Sequence, residues 1–187
     1  MRVIAGKYRS RPLKGPGAQR LRPTSDRLRE TLFNVLGPSV EDSLFIDLFA
    51  GTGAVGIEAI SRGARETIFV ESNAKAARLI RENLNALEIR EAAELIEAPA
   101  LRGLQRMTTR RLLADFIFLD PPYEKTDAYE EVLEFLDASH LIAPRGIVIA
   151  EHYWKTDLPE FLTRLECTRH LEQGDAILSF YALAAAA

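Results

Sequence analysis

The chain has 187 residues, 47% of them hydrophobic and 27% charged, which leaves room for one sizeable domain and too little for two. Its lone cysteine, Cys167, excludes an internal disulfide. That cysteine and three scattered histidines offer no metal-ligand spacing, so no metal is expected. No apolar run reaches the length of a bilayer span and the N-terminus carries no apolar secretory segment, so the expectation is a cytoplasmic protein without a membrane partner. The net charge of −3 conceals an asymmetry: residues 1–30 hold nine Lys and Arg against two acids, a local +7, which leaves −10 on the remainder. A basic segment on an acidic body binds polyanions on one side only.

In chain order, "RVIAGKYRSRPLKG" has turn signals at Gly6 and Gly15 and reads as a short hairpin or extended arm. "TSDRLRETLFNVLGP" predicts a helix capped by Thr24 or Ser25, with Asp26 in its first turn, Leu28, Leu32, Val35 and Leu36 on one face, and a stop at Gly37-Pro38. Strand and helix then alternate. "LFIDLF", "ETIFVE", "AELIEA", "ADFIFLD" and "GIVIAEH" read as strands. "AVGIEAISRG", "NAKAARLIRENLNAL" with an Asn73 cap, and "AYEEVLEFLDA" read as helices. "DLPEFLTRL" predicts a further short helix with Pro159 in its first turn, and "ECTRHLE" and "DAILSFYAL" a closing hairpin about Gly174-Asp175. Alternation of this kind implies an α/β fold, a parallel sheet covered by helices on both faces, with ligands bound beyond the carboxyl ends of the strands.

The loop after the first strand, "DLFAGTGAVGIEA", satisfies G-x-G-x-x-G at Gly51, Gly53 and Gly56. Glycines there remove Cβ atoms where backbone must approach a ligand. A pyridine dinucleotide and S-adenosylmethionine are the two candidates. Asp47, four residues before Gly51, separates them: a carboxylate disfavours a pyrophosphate and suits an ammonium group. The alternative role for Asp47 is that of an acid capping the end of the strand. Glu71, at the end of the second strand, can accept from both ribose hydroxyls of either cofactor.

The fourth strand runs into "DPPY". Proline has no N–H, and an ionised Asp120 only accepts, so Asp120, Pro121 and Pro122 form a corner of acceptors. As a structural element this is a rigid turn. As a binding element it suits a group that only donates, such as an exocyclic nucleobase amine. Two acceptors would orient that amine and stabilise charge as it develops on nitrogen, while Tyr123 stacks on an extruded base. Guanine N2 and adenine N6 fit such a corner equally.

"DLFAGTG" with "DPPY" resembles class I S-adenosylmethionine-dependent amino-methyltransferases. "VIAGKYRSRPL", "RPTSDRLRETLFN", "GAVGIEAISRGA", "FLDPPY" and "GDAILSFY" are similar to the bacterial RsmD family over nearly the whole chain. The resemblance implies a three-layer Rossmann-like fold with a seven-stranded, mostly parallel sheet ending in an antiparallel hairpin. It implies transfer of a methyl group from S-adenosylmethionine, leaving S-adenosylhomocysteine, to N2 of a guanine in 16S ribosomal RNA, at nucleotide 966. The expected substrate is an assembled or partly assembled small ribosomal subunit, and the expected enzyme a monomer. Cofactor contacts are expected at Asp47, Phe49, Ala50, Gly51, Thr52, Gly53, Glu71, Ser72 and Asp120, with catalysis at Asp120, Pro121 and Tyr123. Residues 1–38 become an RNA-contacting arm and helix, using Arg2, Lys7, Arg9, Arg11, Lys14, Arg22 and Arg27, and residues 39–187 the catalytic domain. Arg22-Pro23-Thr24 matches a segment close to cofactor and substrate in the family. One departure is Ala98-Pro99-Ala100, where many relatives carry Asp or Asn for the adenine amine. An adenine-N6 methyltransferase and a noncatalytic RNA-binding assembly factor are the competing readings, and the intact acceptor corner argues against the second.

Overall fold

A computed structural model describes residues 1–15, 25–122 and 127–185. Seven strands form one sheet: β1 (Leu44–Leu48), β2 (Glu66–Val70), β3 (Ala93–Ile96), β4 (Ala114–Leu119), β5 (Ile142–Tyr153), β6 (Leu165–Gln173) and β7 (Ala176–Leu183). Their order is β3-β2-β1-β4-β5-β7-β6. The first five run parallel, and β7 enters antiparallel between β5 and β6. The strand order reverses between β1 and β4, where Asp47 lies beside Phe118 and Leu48 beside Leu119.

Among the described residues five helices cover the sheet: α1 (Asp26–Leu36), α2 (Ala54–Ser61), α3 (Ala74–Ala86), α4 (Ala100–Thr109) and α5 (Asp127–Ala138). The pleat of β1 sorts them into layers. Leu44, Ile46 and Leu48 pack with Leu104 and Met107 of α4 and Val132, Leu133 and Leu136 of α5. Phe45 faces the opposite layer, among Leu28, Leu32, Phe33 and Leu36 of α1 and Val55 and Ala59 of α2. α1 begins where the Ser25 Oγ accepts the N–H of Leu28 at 3.1 Å, so Ser25 is the cap.

The N-terminal segment is a hairpin, and it is docked. Arg2 bridges Pro12, Val3 N–H donates to Arg11 O at 3.0 Å, and Leu13 N–H to Met1 O at 3.1 Å. Val3 and Leu13 enter the core formed by Ile57, Ile60, Phe69 and Ile80. Polar anchors fix the rest. The fully buried Glu58 of α2 accepts the N–H groups of Ile4 at 2.8 Å and Ala5 at 3.0 Å, and pairs with Arg62. The buried Arg29 donates to Arg2 O at 2.7 Å and to Asp26 at 3.0 Å. Gly6, at φ 79°, lies so close to α2 that a Cβ would sit 1.8 Å from the Ser61 carbonyl oxygen.

Two elements differ from the sequence expectation. Residues 157–165 are not helical. The buried carboxylate of Asp137, at the end of α5, accepts the N–H groups of Thr163, Arg164 and Leu165 at 3.2, 2.6 and 2.8 Å, and so takes the donors that a helix would use. Conversely, α4 has no counterpart among the predicted helices, although Ala100, Gly103, Leu104 and Met107 stand at helical spacing on its buried face.

Candidate active site at the β1–β4 crossover

Parallel register puts the ends of β1, β2 and β4 on one edge of the sheet, so the glycine loop and the acceptor corner are neighbours. The loop turns sharply. Phe49 holds φ 58°, Gly51 54° and Gly53 75°, and the Gly53 N–H closes a turn on Ala50 O at 2.7 Å. A non-glycine residue at φ 58° is uncommon and costs on the order of 1–3 kcal/mol, so the surrounding bonds must hold Phe49 there. Gly56 serves packing: a Cβ on it would lie 2.3 Å from the Phe69 ring, so α2 could not approach β2.

Two buried carboxylates brace this loop. Asp47 accepts the N–H of Gly56, in the first turn of α2, at 2.9 Å through Oδ2. This bond ties the end of β1 to the start of α2, and among the described residues it leaves Oδ1 for other work. Burial drives the Asp47 carboxyl up to about 8; the Gly56 bond opposes the rise and the charge of Glu71 adds to it. Glu71 accepts Gly51 N–H at 2.8 Å through Oε2 and Asn73 N–H at 2.7 Å through Oε1. Each Glu71 oxygen keeps a second lone pair. Thr52 is buried, Ala50 and Phe49 line the turn, and Ser72 is exposed beside Glu71.

Across the crossover, Leu119 is fully buried, Asp120 half-buried, Pro121 buried and Pro122 exposed. Tyr123 lies outside the described residues, as do Arg22, Pro23 and Thr24. Of the expected RNA contacts, Arg2, Lys7, Arg9, Arg11, Lys14 and Arg27 are all exposed. Three are partly engaged: Lys14 pairs with Glu82 at 2.9 Å, Arg11 donates to Ala86 O at 3.2 Å, and the Lys7 ammonium lies over the Tyr8 ring, 5.2 Å from its centroid.

Asn83 was not among the sequence candidates, yet it joins arm and loop. Its Nδ2 donates to Thr52 O at 2.9 Å and to Lys14 O at 3.2 Å, while its Oδ1 accepts Lys14 N–H at 2.8 Å. The one signal it offered was a polar residue next to Leu84 on the apolar side of an otherwise amphipathic helix.

A crossover of this order, with a carboxylate-braced glycine loop on one side and an acid-proline corner on the other, defines a Rossmann-like α/β fold of the methyltransferase type. The model of the family described as conserved hypothetical protein 95 matches residues 1–182. The chain is 33% identical to the ribosomal RNA small subunit methyltransferase D of Escherichia coli, over 97% of this chain and 89% of that protein. It is 36% identical to the protein of the same name from Haemophilus influenzae, over 81% of this chain and 78% of that one. Among solved structures, the Escherichia coli protein yhhF superposes with a TM-score of 0.84 at 28% identity, over 98% of this chain and 97% of that one. This chain belongs to the RsmD family.

Proposed function

We propose that this chain is an rRNA methyltransferase that uses S-adenosylmethionine to methylate the exocyclic N2 amine of a guanine in 16S ribosomal RNA. One observation carries the reading: the glycine loop ending β1 and the Asp120-Pro121 corner ending β4 stand on adjacent, parallel strands at the point where strand order reverses. The residues present fit the cofactor. A desolvated Asp47 carboxyl raised to about 8 is a place where an ammonium group restores the ionised form, and Glu71 keeps lone pairs for ribose hydroxyls beside the Gly51 turn. Ala98 and Pro99 supply no polar side chain for the adenine amine, so that contact falls to backbone. When bound, S-adenosylmethionine supplies an electrophilic methyl group on sulfur.

The chain's own residues do the rest. Asp120 and the Pro121 carbonyl accept the two N–H bonds of the amine and hold its nitrogen toward the β1 loop. Positioning of this kind supplies several kcal/mol, on the order of the proximity effects known for oriented reactants. Fixed acceptors would also stabilise the positive charge that grows on nitrogen as the methyl group passes to it from sulfur, and the proton the nitrogen then sheds would leave to solvent past Asp120. Tyr123 stacks on the extruded base, worth about 1–3 kcal/mol. Arg2, Lys7, Arg9 and Arg27 approach the phosphates on the basic side.

The test is methylation in vitro. Small-subunit RNA and small subunits from cells lacking the enzyme are each incubated with labelled S-adenosylmethionine, then digested and separated by nucleoside mass. N2-methylguanosine is the expected product, strongest on the assembled particle. N6-methyladenosine would transfer the assignment to the other purine amine, and no incorporation into either substrate would sink the reading.

A further inference from the structure

The far edge of the sheet carries a second cluster of chemistry. β6 has an irregularity between Cys167 and Arg169: Cys167 pairs with Tyr181, whereas Arg169 already pairs with Phe180 and His170 with Ser179. One extra residue, Thr168, is therefore bulged out. On a regular strand, residues three apart point to opposite faces; the bulge turns Cys167 and His170 to the same face. Their spacing along the chain therefore carries no sign of a ligand pair. Glu160 joins them from the irregular segment before β6, where Cys167 N–H donates to Glu160 O at 2.8 Å.

The three ligand atoms lie within 4.8 Å of one another. Cys167 Sγ is 3.6 Å from His170 Nε2, and His170 Nε2 is 2.9 Å from Glu160 Oε1. A tetrahedral zinc ion with Zn–S of about 2.3 Å and Zn–N of about 2.0–2.1 Å places its S and N ligands about 3.6 Å apart. A hydrogen-bond chain behind His170 sets its tautomer. His152 Nδ1 faces the Tyr153 carbonyl at 3.1 Å and so donates. That ring is buried and stays neutral, which makes its Nε2, 2.7 Å from Ser179 Oγ, an acceptor of the hydroxyl proton. Ser179 Oγ then accepts from His170 Nδ1 at 2.9 Å. With Nδ1 held by Ser179, the other ring nitrogen, Nε2, is turned toward the Glu160 carboxylate and the Cys167 sulfur. At 2.9 Å the pair also makes a direct hydrogen bond when Nε2 carries a proton, and a metal ion bound here would take the place of that proton. Metal-binding histidines are oriented in this way, through the ring nitrogen that does not bind. An independent sign comes from Tyr181, the cross-strand partner of Cys167. It is fully buried, and its hydroxyl has no hydrogen-bond partner among the described residues.

We propose that Cys167, His170 and Glu160 bind one divalent transition-metal ion of the zinc class, with water in the fourth position. The site lies three strands from β4, roughly 14 Å across the sheet. It is separate from the methyl-transfer cleft and independent of that assignment. Cys167 binds as the thiolate and releases its proton to solvent. The ion cross-links the segment around Glu160 to β6.

The test uses the full chain, freed of metal with a chelator and titrated with Co²⁺, then Zn²⁺. One equivalent of cobalt should produce a sulfur-to-cobalt charge-transfer band that zinc displaces. C167S should abolish the band, and E160Q and H170Q should each weaken zinc binding by more than tenfold. S179A, which removes only the orienting hydroxyl, should weaken it about 10–100-fold. Zinc should also raise the melting temperature of the parent chain and not that of C167S. Absence of the charge-transfer band overturns the proposal. So does zinc affinity unchanged in both C167S and E160Q, which would mean adventitious surface binding. Glu160 and His170 are exposed, so these variants should fold, and unchanged far-ultraviolet circular dichroism checks that they do.

Discussion

At the end of β1 the chain is tied at every turn. Asp47 holds Gly56, Glu71 holds Gly51 and Asn73, and Asn83 holds Thr52 and the arm. One strand over, the end of β4 enters two prolines, which have no N–H to be held by anything. The contrast fits the role proposed for each side. A binding loop in strained backbone needs carboxylates to satisfy its amides and fix its shape. A corner that must grip a donor needs rigid carbonyls and an acid, and proline supplies the rigidity through its ring instead of through hydrogen bonds. Binding and chemistry should therefore separate under mutation.

The largest effect is expected at the corner. Asp120→Ala should lower turnover by roughly 10²–10³-fold, the scale for removing one preorganised electrostatic contact. Affinity for S-adenosylmethionine should hold within a few-fold. A variant that loses both together would show that the two sides are not separate. Asp47→Ala should do the reverse. Removing one partner of a buried charge pair costs about 2–5 kcal/mol of binding. Calorimetry showing unchanged cofactor affinity would leave Asp47 only its tie to the start of α2.

The Asp47 carboxyl also gives the comparison a pH axis. Its ordinary value is 3.8 and burial raises it to about 8. Between those values the folded, ligand-free protein binds a proton that the unfolded chain does not. Stability should therefore fall as pH rises through this window, and Asp47→Asn should flatten the slope. Cofactor binding selects the ionised carboxylate, so affinity should rise about tenfold per pH unit toward pH 8 and level off above it. At pH 7, binding should release a proton, seen as a dependence of calorimetric heat on buffer ionisation enthalpy. A flat affinity from pH 6 to 9 would remove the ammonium contact.

Much of this was legible in the sequence, and the exceptions share a cause. The strands, the crossover and the glycine loop follow from local pattern, because β1 and β4 are short, mostly apolar runs and Gly51, Gly53 and Gly56 sit between strand and helix. The false helix at residues 157–165 has acceptable local propensity. It is overruled by Asp137, more than twenty residues away, whose carboxylate captures three of its N–H groups. Asn83 and the Cys167–His170 pair were illegible for the same reason. One gains its role from partners at Thr52 and Lys14, the other from a bulge that no periodicity announces.

The two hairpins repeat the contrast at the periphery, and the smallest effects belong there. β6 and β7 extend the sheet by ladder pairing broken once at the Thr168 bulge, whereas the N-terminal hairpin is held by Glu58, Arg29 and Asn83 against the helices. Asn83→Ala should cost about 1–3 kcal/mol of stability by orphaning buried backbone groups. It should loosen cofactor binding too, because the arm and the Thr52 turn share that one side chain. Surface charges on the same hairpin should change both little, since their bonds to α3 are exposed, and register mainly with RNA. Arg9 and Arg11 stand exposed on the basic side. Replacing both with Gln should reduce the slope of log affinity against log salt by about 0.7–0.9 for each phosphate that is no longer neutralised, with little change in cofactor affinity. An unchanged slope would mean that the hairpin braces the glycine loop and takes no part in holding the RNA.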